Sequence, residues 1–81
     1  MTSFAPLSVG ESVRVSLDAY LKDLGGVLPQ NVYAMVLAAV EKPMLEVIMT
    51  HVAQNQSKAS QCLGINRNTL RKKLRQHGLA A

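Results

Sequence analysis

Aromatic residues are nearly missing from this chain: its 81 residues include no tryptophan, one phenylalanine and two tyrosines. A β-sandwich draws on aromatic and β-branched side chains for its faces, so their scarcity argues against one. With 48% of residues hydrophobic, the surplus lies in Leu, Val, Ala and Met, which suit helices. A single cysteine, Cys62, excludes a disulfide within the chain and fits a reducing cytoplasm. No basic-then-apolar leader is visible, and the longest apolar run, Val32 to Val40, is about half a bilayer span. Acid is missing from the last third of the chain: no carboxylate side chain follows Glu46.

What is present is unevenly placed. Residues 1–50 hold all five acids (Glu11, Asp18, Asp23, Glu41, Glu46) against three bases (Arg14, Lys22, Lys42), a net charge of −2. Residues 51–81 hold six bases (Lys58, Arg67, Arg71, Lys72, Lys73, Arg75), a net charge of +6. Such asymmetry points to a polyanionic partner, nucleic acid or an acidic membrane. The length fits one domain, and folding at this size buries only about 60–65% of the extended surface. A small aliphatic chain of this kind often completes its core with a second copy.

Four helical stretches are expected. Residues 1–10 read as a flexible N-terminal segment, with 1–7 as lead-in. Ser8, three before Glu11, makes a capping box. Val13, Leu17, Tyr20, Leu21 and Leu24 follow as one apolar stripe, with Arg14, Asp18 and Lys22 on the opposite side. Gly25-Gly26 ends this helix. Pro29 and Asn31 mark a second start. Val32, Tyr33, Val36, Leu37, Val40, Met44, Leu45, Val47, Ile48 and Val52 then keep helical spacing across Pro43, which predicts a kink and not a break. The apolar face is broad and needs neighbours on more than one side. Ser57 is expected to cap a third helix over 58–63, with Ala59, Cys62 and Leu63 inward. Gly64 supplies a left-handed turn, and Asn66 caps a fourth helix closed by Gly78.

The spacing of residues 57–76 is that of a helix-turn-helix. Ile65 fills the turn, and the last helix buries only Leu70 and Leu74. Arg67, Asn68, Thr69, Arg71, Lys72, Lys73, Arg75 and Gln76 are left facing outward. Five of the nine residues from Arg67 to Arg75 are cationic. Their repulsion is relieved on duplex DNA, which carries about one charge per ~1.7 Å. A helix fits the major groove, where arginine can grip guanine and asparagine adenine. A membrane-surface helix would need a larger apolar face than two leucines provide.

Other features carry less. His51 and His77 lack a cluster of further ligands, so neither a metal site nor a cofactor is expected. His77, near a helix end, suits the carbonyl dipole or a phosphate. Cys62 and the methionines beyond the initiator read as core, and Tyr33 as core or dimer interface. No nucleophile–base arrangement or paired carboxylates suggest an enzyme.

The motifs Glu11-Ser-Val13, Val-Leu-Ala-Ala-Val-Glu-Lys-Pro43 and Gly64-Ile-Asn-Arg-Asn-Thr-Leu-Arg-Lys-Lys-Leu74 together make the chain resemble the Fis family, small bacterial nucleoid proteins. The last segment alone also looks like the C-terminal DNA-binding domain of NtrC-type activators; the Val-Glu-x-Pro helix and the chain length favour Fis. A helical module that docks an acidic protein is the reading from another class.

The resemblance implies an all-α, intertwined homodimer. Residues 11–53 would form a two-helix dimerisation core around Leu17, Tyr20, Leu21, Tyr33, Val36, Leu37, Val40, Met44 and Ile48, and residues 54–81 a helix-turn-helix. Asn66 and Arg67 would touch base edges. Asn55, Ser57, Lys58, Thr69, Arg71, Lys72 and Lys73 would hold backbone phosphates. In the family the two reading helices lie closer than one DNA turn (~34 Å), so the duplex must bend or its minor groove narrow. The protein would act on double-stranded DNA in the bacterial nucleoid, modulating transcription. DNA invertase and RNA polymerase are further family partners, and two departures bear on them. Only about ten residues precede the first helix, where longer members carry an invertase-activating arm. Ala53-Gln54 stands where the family contacts polymerase with an arginine-glycine pair.

Overall fold

A computed structural model describes residues 8–79. The lead-in expected over residues 1–7 lies outside them. All regular structure among the described residues is helical: α1 (Val9–Asp23), α2 (Val32–His51), α3 (Gln56–Leu63) and α4 (Arg67–Gln76). They fall into two units that meet at residues 36 and 37, inside α2.

The first unit contains α1, the connection after it and the opening of α2. Ser8 caps α1 as expected, accepting the Glu11 amide at 3.1 Å. The reciprocal half of the box is replaced: the Glu11 carboxylate takes Arg14 Nε at 3.3 Å. Lys22 pairs with Asp18 at 2.9 Å, and Gly25 and Gly26 both take positive φ beyond the Leu24 cap. Asn31 directly precedes α2 as expected, but not as a side-chain cap. It is left-handed (φ 58), where a side-chain cap would be extended, and its carbonyl receives the Met35 amide at 3.0 Å. Asparagine tolerates that conformation better than most residues.

The second unit holds the rest of α2 with α3 and α4. α2 runs unbroken through Pro43. Leu45 and Met49 are buried on it, with Ile48 and Val52 beside them. These four share one face by i, i+3, i+4, i+7 spacing, and against them pack Ala59, Leu63, Ile65, Leu70, Leu74 and Leu79. Of the three methionines beyond the initiator only Met49 is core; Met35 and Met44 are exposed.

The connection from α2 to α3 corrects two expectations. The cap of α3 is Asn55, whose side chain accepts the Lys58 amide at 3.0 Å, so Ser57 lies within the first turn. Asn and Ser two residues apart are both good caps, and sequence alone does not choose between them. Cys62 is exposed. On an eight-residue helix the buried arc is defined by Ala59, Ser60 and half-buried Leu63. At about 100° per residue, Cys62 falls roughly 60° outside that arc. Ser60 is buried but satisfied, its hydroxyl donating to the Ser57 carbonyl at 2.9 Å.

Candidate nucleic-acid interface

Each local device of the helix-turn-helix is set by backbone chemistry. Gly64 ends α3 at φ 74, which only glycine takes without cost. The Gly64 and Ile65 amides both donate to the Ser60 carbonyl, at 2.9 and 3.1 Å. Asn66 then caps α4, its side chain accepting the Asn68 amide at 2.7 Å. α4 closes with paired bonds from Leu79 to the Leu74 carbonyl (2.7 Å) and from Gly78 to that of Arg75 (3.1 Å), a Schellman motif around Gly78 at φ 71. Leu79, carried inward by this turn, packs on the core.

α4 is anchored by the two expected leucines: Leu70 is 0% and Leu74 1% exposed. Asn66, Arg67, Asn68, Thr69, Arg71, Lys72, Arg75 and Gln76 are all exposed, as are Asn55, Ser57 and Lys58 at the start of α3. The residues expected to meet DNA therefore lie on the two helix starts and along the outer face of α4.

Five of them have prior engagements, Asn55 as the cap of α3 and Ser57 as the acceptor of Arg67 among them. Arg67 Nη1 donates to Ser57 Oγ at 2.7 Å, tying the opening of α4 to the first turn of α3. Guanidinium has five N–H donors, so four remain. The Asn66 cap engages Oδ1, so a two-bond grip on adenine would compete with the cap. Lys73 is half-buried, and its ammonium donates to Glu41 Oε2 on α2 at 2.7 Å.

Glu41 gives His77 a partner the sequence did not point to. His77 caps the end of α4, and its imidazole is 8% exposed and lies 2.8 Å from Glu41 Oε1. A carboxylate only accepts, so His77 Nε2 carries the proton and donates. The bonds from Lys73 and His77 hold the Glu41 carboxyl below its ordinary value of 4.5. Lys73 and His77 are spaced i, i+4, a visible signal. Which α2 carboxylate they meet, Glu41 or Glu46, depends on how the helices pack.

The residues expected in a dimer core are largely uncovered in one chain. Leu17, Val36 and Val40 are half-buried, and Tyr20, Leu21, Tyr33, Leu37 and Met44 are exposed. Ile48 differs, being packed against the buried cluster. Leu37, Val40, Met44 and Val47 form a second stripe on α2, roughly 100° from the one facing α3 and α4. No helix among the described residues is long and apolar enough to cross a membrane.

Known proteins are similar to this chain in sequence. The family described as "Bacterial regulatory protein, Fis family" matches residues 36–77, from the second turn of α2 to the cap that ends α4. A putative Fis-like DNA-binding protein of Ralstonia nicotianae is 61% identical over 67 residues, 83% of this chain and 87% of the relative. A protein of the same description from Neisseria meningitidis is 56% identical over 71 residues, 88% of this chain and 90% of its own. The DNA-binding protein Fis of Aliivibrio fischeri is 49% identical over 69 residues, 85% of this chain and 70% of its own. With the family match over residues 36–77 and relatives 49–61% identical over most of the chain, the chain belongs to the Fis family of bacterial regulatory proteins.

Proposed function

We propose that this protein binds and bends duplex DNA as a homodimer, modulating transcription and DNA architecture in the bacterial nucleoid. The observation that carries this reading is the outer face of α4. Two buried leucines fix the helix from behind, and everything in front is polar or cationic and exposed. Among the described residues Arg71, Lys72 and Arg75 are in no ion pair with a carboxylate. Phosphates relieve their mutual repulsion and release counterions. Residues 54–81 act as the DNA-binding part, with Asn66 and Arg67 reading base edges and Asn55, Ser57, Lys58, Thr69, Arg71 and Lys72 holding the backbone.

Residues 11–53 act as the dimerisation part. The support is the second apolar stripe on α2: Met44 is 47% and Val47 66% exposed in the single chain. A second copy laid along that stripe would cover it and intertwine the two N-terminal halves. Two reading helices at a fixed separation then select duplexes that deform to meet both. Its relatives in Ralstonia nicotianae and Aliivibrio fischeri are named as DNA-binding proteins, which supports the reading.

Gel-shift titration on circularly permuted fragments, run beside a sizing column, tests it. The expected outcome is two chains per shifted duplex and a mobility that depends on where the site lies in the fragment. A chain that stays monomeric at micromolar concentration, or a shift indifferent to site position, overturns dimerisation or bending respectively.

A further inference from the structure

One carboxylate on α2 holds Lys73 of α4 and His77, the residue that caps the end of α4. Glu41 accepts Lys73 Nζ at 2.7 Å through one oxygen and His77 Nε2 at 2.8 Å through the other. Lys73 and His77, four residues apart, stand on one face of the helix. The cluster is sheltered: the side chains of Glu41, Lys73 and His77 are 19, 34 and 8% exposed. Lys73 is the cation of α4 that is spent on a carboxylate; Arg71, Lys72 and Arg75 stand exposed and, among the described residues, without one.

We propose that Glu41 is a positioning residue for the reading helix, and that the same contact withholds Lys73 from the DNA backbone, trading indiscriminate affinity for discrimination between sites. The inference rests on α4 being a DNA-reading helix, as set out above.

The two effects share one cause. Sequence-independent affinity grows with the number of phosphates neutralised, because each releases condensed counterions. An ammonium already neutralised by Glu41 can reach a phosphate only by leaving one anion for another. It adds little to that count. Site discrimination depends on holding base-reading side chains in a fixed orientation. Leu70 and Leu74 form a thin stripe, about which the helix could roll. Two bonds from one α2 carboxylate, to Lys73 in the second half of α4 and to His77 at its cap, oppose that roll. Removing the carboxylate frees a cation and loosens the helix together, so every duplex binds more tightly and sites are told apart less well.

The test titrates the full chain against two duplexes, one selected from a random pool by the wild-type protein and one scrambled, across a salt series. Glu41→Gln is expected to steepen the log–log salt slope on the scrambled duplex by about one and to lower the ratio of selected to scrambled affinity. Lys73→Gln in the Glu41→Gln background is expected to restore the slope but not the ratio. Lys73→Gln alone lowers the ratio and keeps the slope, whereas Lys72→Ala flattens the slope by about one. An unchanged slope and ratio in Glu41→Gln overturns the proposal. So does a Lys73→Gln slope flattened as much as that of Lys72→Ala, which would make Lys73 an ordinary phosphate anchor. Should circular dichroism show Glu41→Gln unfolded, the Lys73→Gln comparison decides alone. A wild-type protein that ignores both duplexes refutes the DNA-binding reading itself, a result distinct from either.

Discussion

Arg67 donates to Ser57 across 2.7 Å, so the first residue of α4 is braced by the first turn of α3. A guanidinium held at one corner has fewer orientations to lose on meeting a base, which is the benefit of preorganisation. Arg67→Ala should cost about 1–3 kcal/mol at a selected site and relax the preference there. Ser57→Ala should cost less, and in the Arg67→Ala background less again, since one of its two roles has gone. A double-mutant cycle measured by gel shift checks this; strictly additive losses would show that the brace does nothing for recognition.

Leu74 is 1% exposed and joins α4 to Leu45 and Met49 of α2. Leu74→Ala should destabilise by about 2–5 kcal/mol through lost transfer and a residual cavity. That is a large share of what so small a domain has. Urea unfolding should show the midpoint falling steeply, while Gln76→Ala, on the exposed face, moves it little.

Two neighbouring residues between α2 and α3, Ala53 (φ 54) and Gln54 (φ 65), take left-handed backbone with no glycine between them. The turn is closed by the Gln54 amide on the Met49 carbonyl at 2.8 Å. Left-handed conformation costs a side-chain-bearing residue about 1–2 kcal/mol, partly offset by the entropy glycine adds to the unfolded chain. Gln54→Gly should therefore raise stability by roughly 0.5–1 kcal/mol. A melting temperature unchanged or lowered would show that the Gln54 side chain contributes more than its backbone costs.

Glu41 gives stability an acid limit. Its carboxyl titrates below 4.5 in the folded chain because Lys73 and then His77 bond its charged form. The stability it supplies is fully present above the unfolded value and is lost as pH falls through the lower folded value. Glu41→Gln should be less stable than wild type near neutral pH, by about 1–2 kcal/mol for exchanged charge-assisted bonds. The gap should close in acid. Thermal melts of both proteins across pH 3–7 check the sign; a gap that widens in acid would contradict it.

Much of this was legible in the sequence wherever the cause is local. Ser8 and Asn66 announce their helices because a cap needs only its own first turn, and Gly64 and Gly78 announce left-handed stops. Leu70 and Leu74 were readable as the anchor because α4 offers no other apolar pair. The misses arise where neighbours decide. Asn55 and Ser57 are equally good caps until packing sets the register of Ala59. Cys62 looks like core until Ala59 and Ser60 define the inward arc. The meeting of Glu41 with Lys73 and His77 spans 32 and 36 residues, and no local pattern encodes it.

The most direct test is an equilibrium titration of duplex DNA with the purified chain, repeated over a salt series with stoichiometry determined. Two chains bound per duplex, with affinity falling by orders of magnitude between low and moderate salt, is the result expected of paired cationic helices on phosphate. A complex of one chain, or an affinity indifferent to salt, would contradict it.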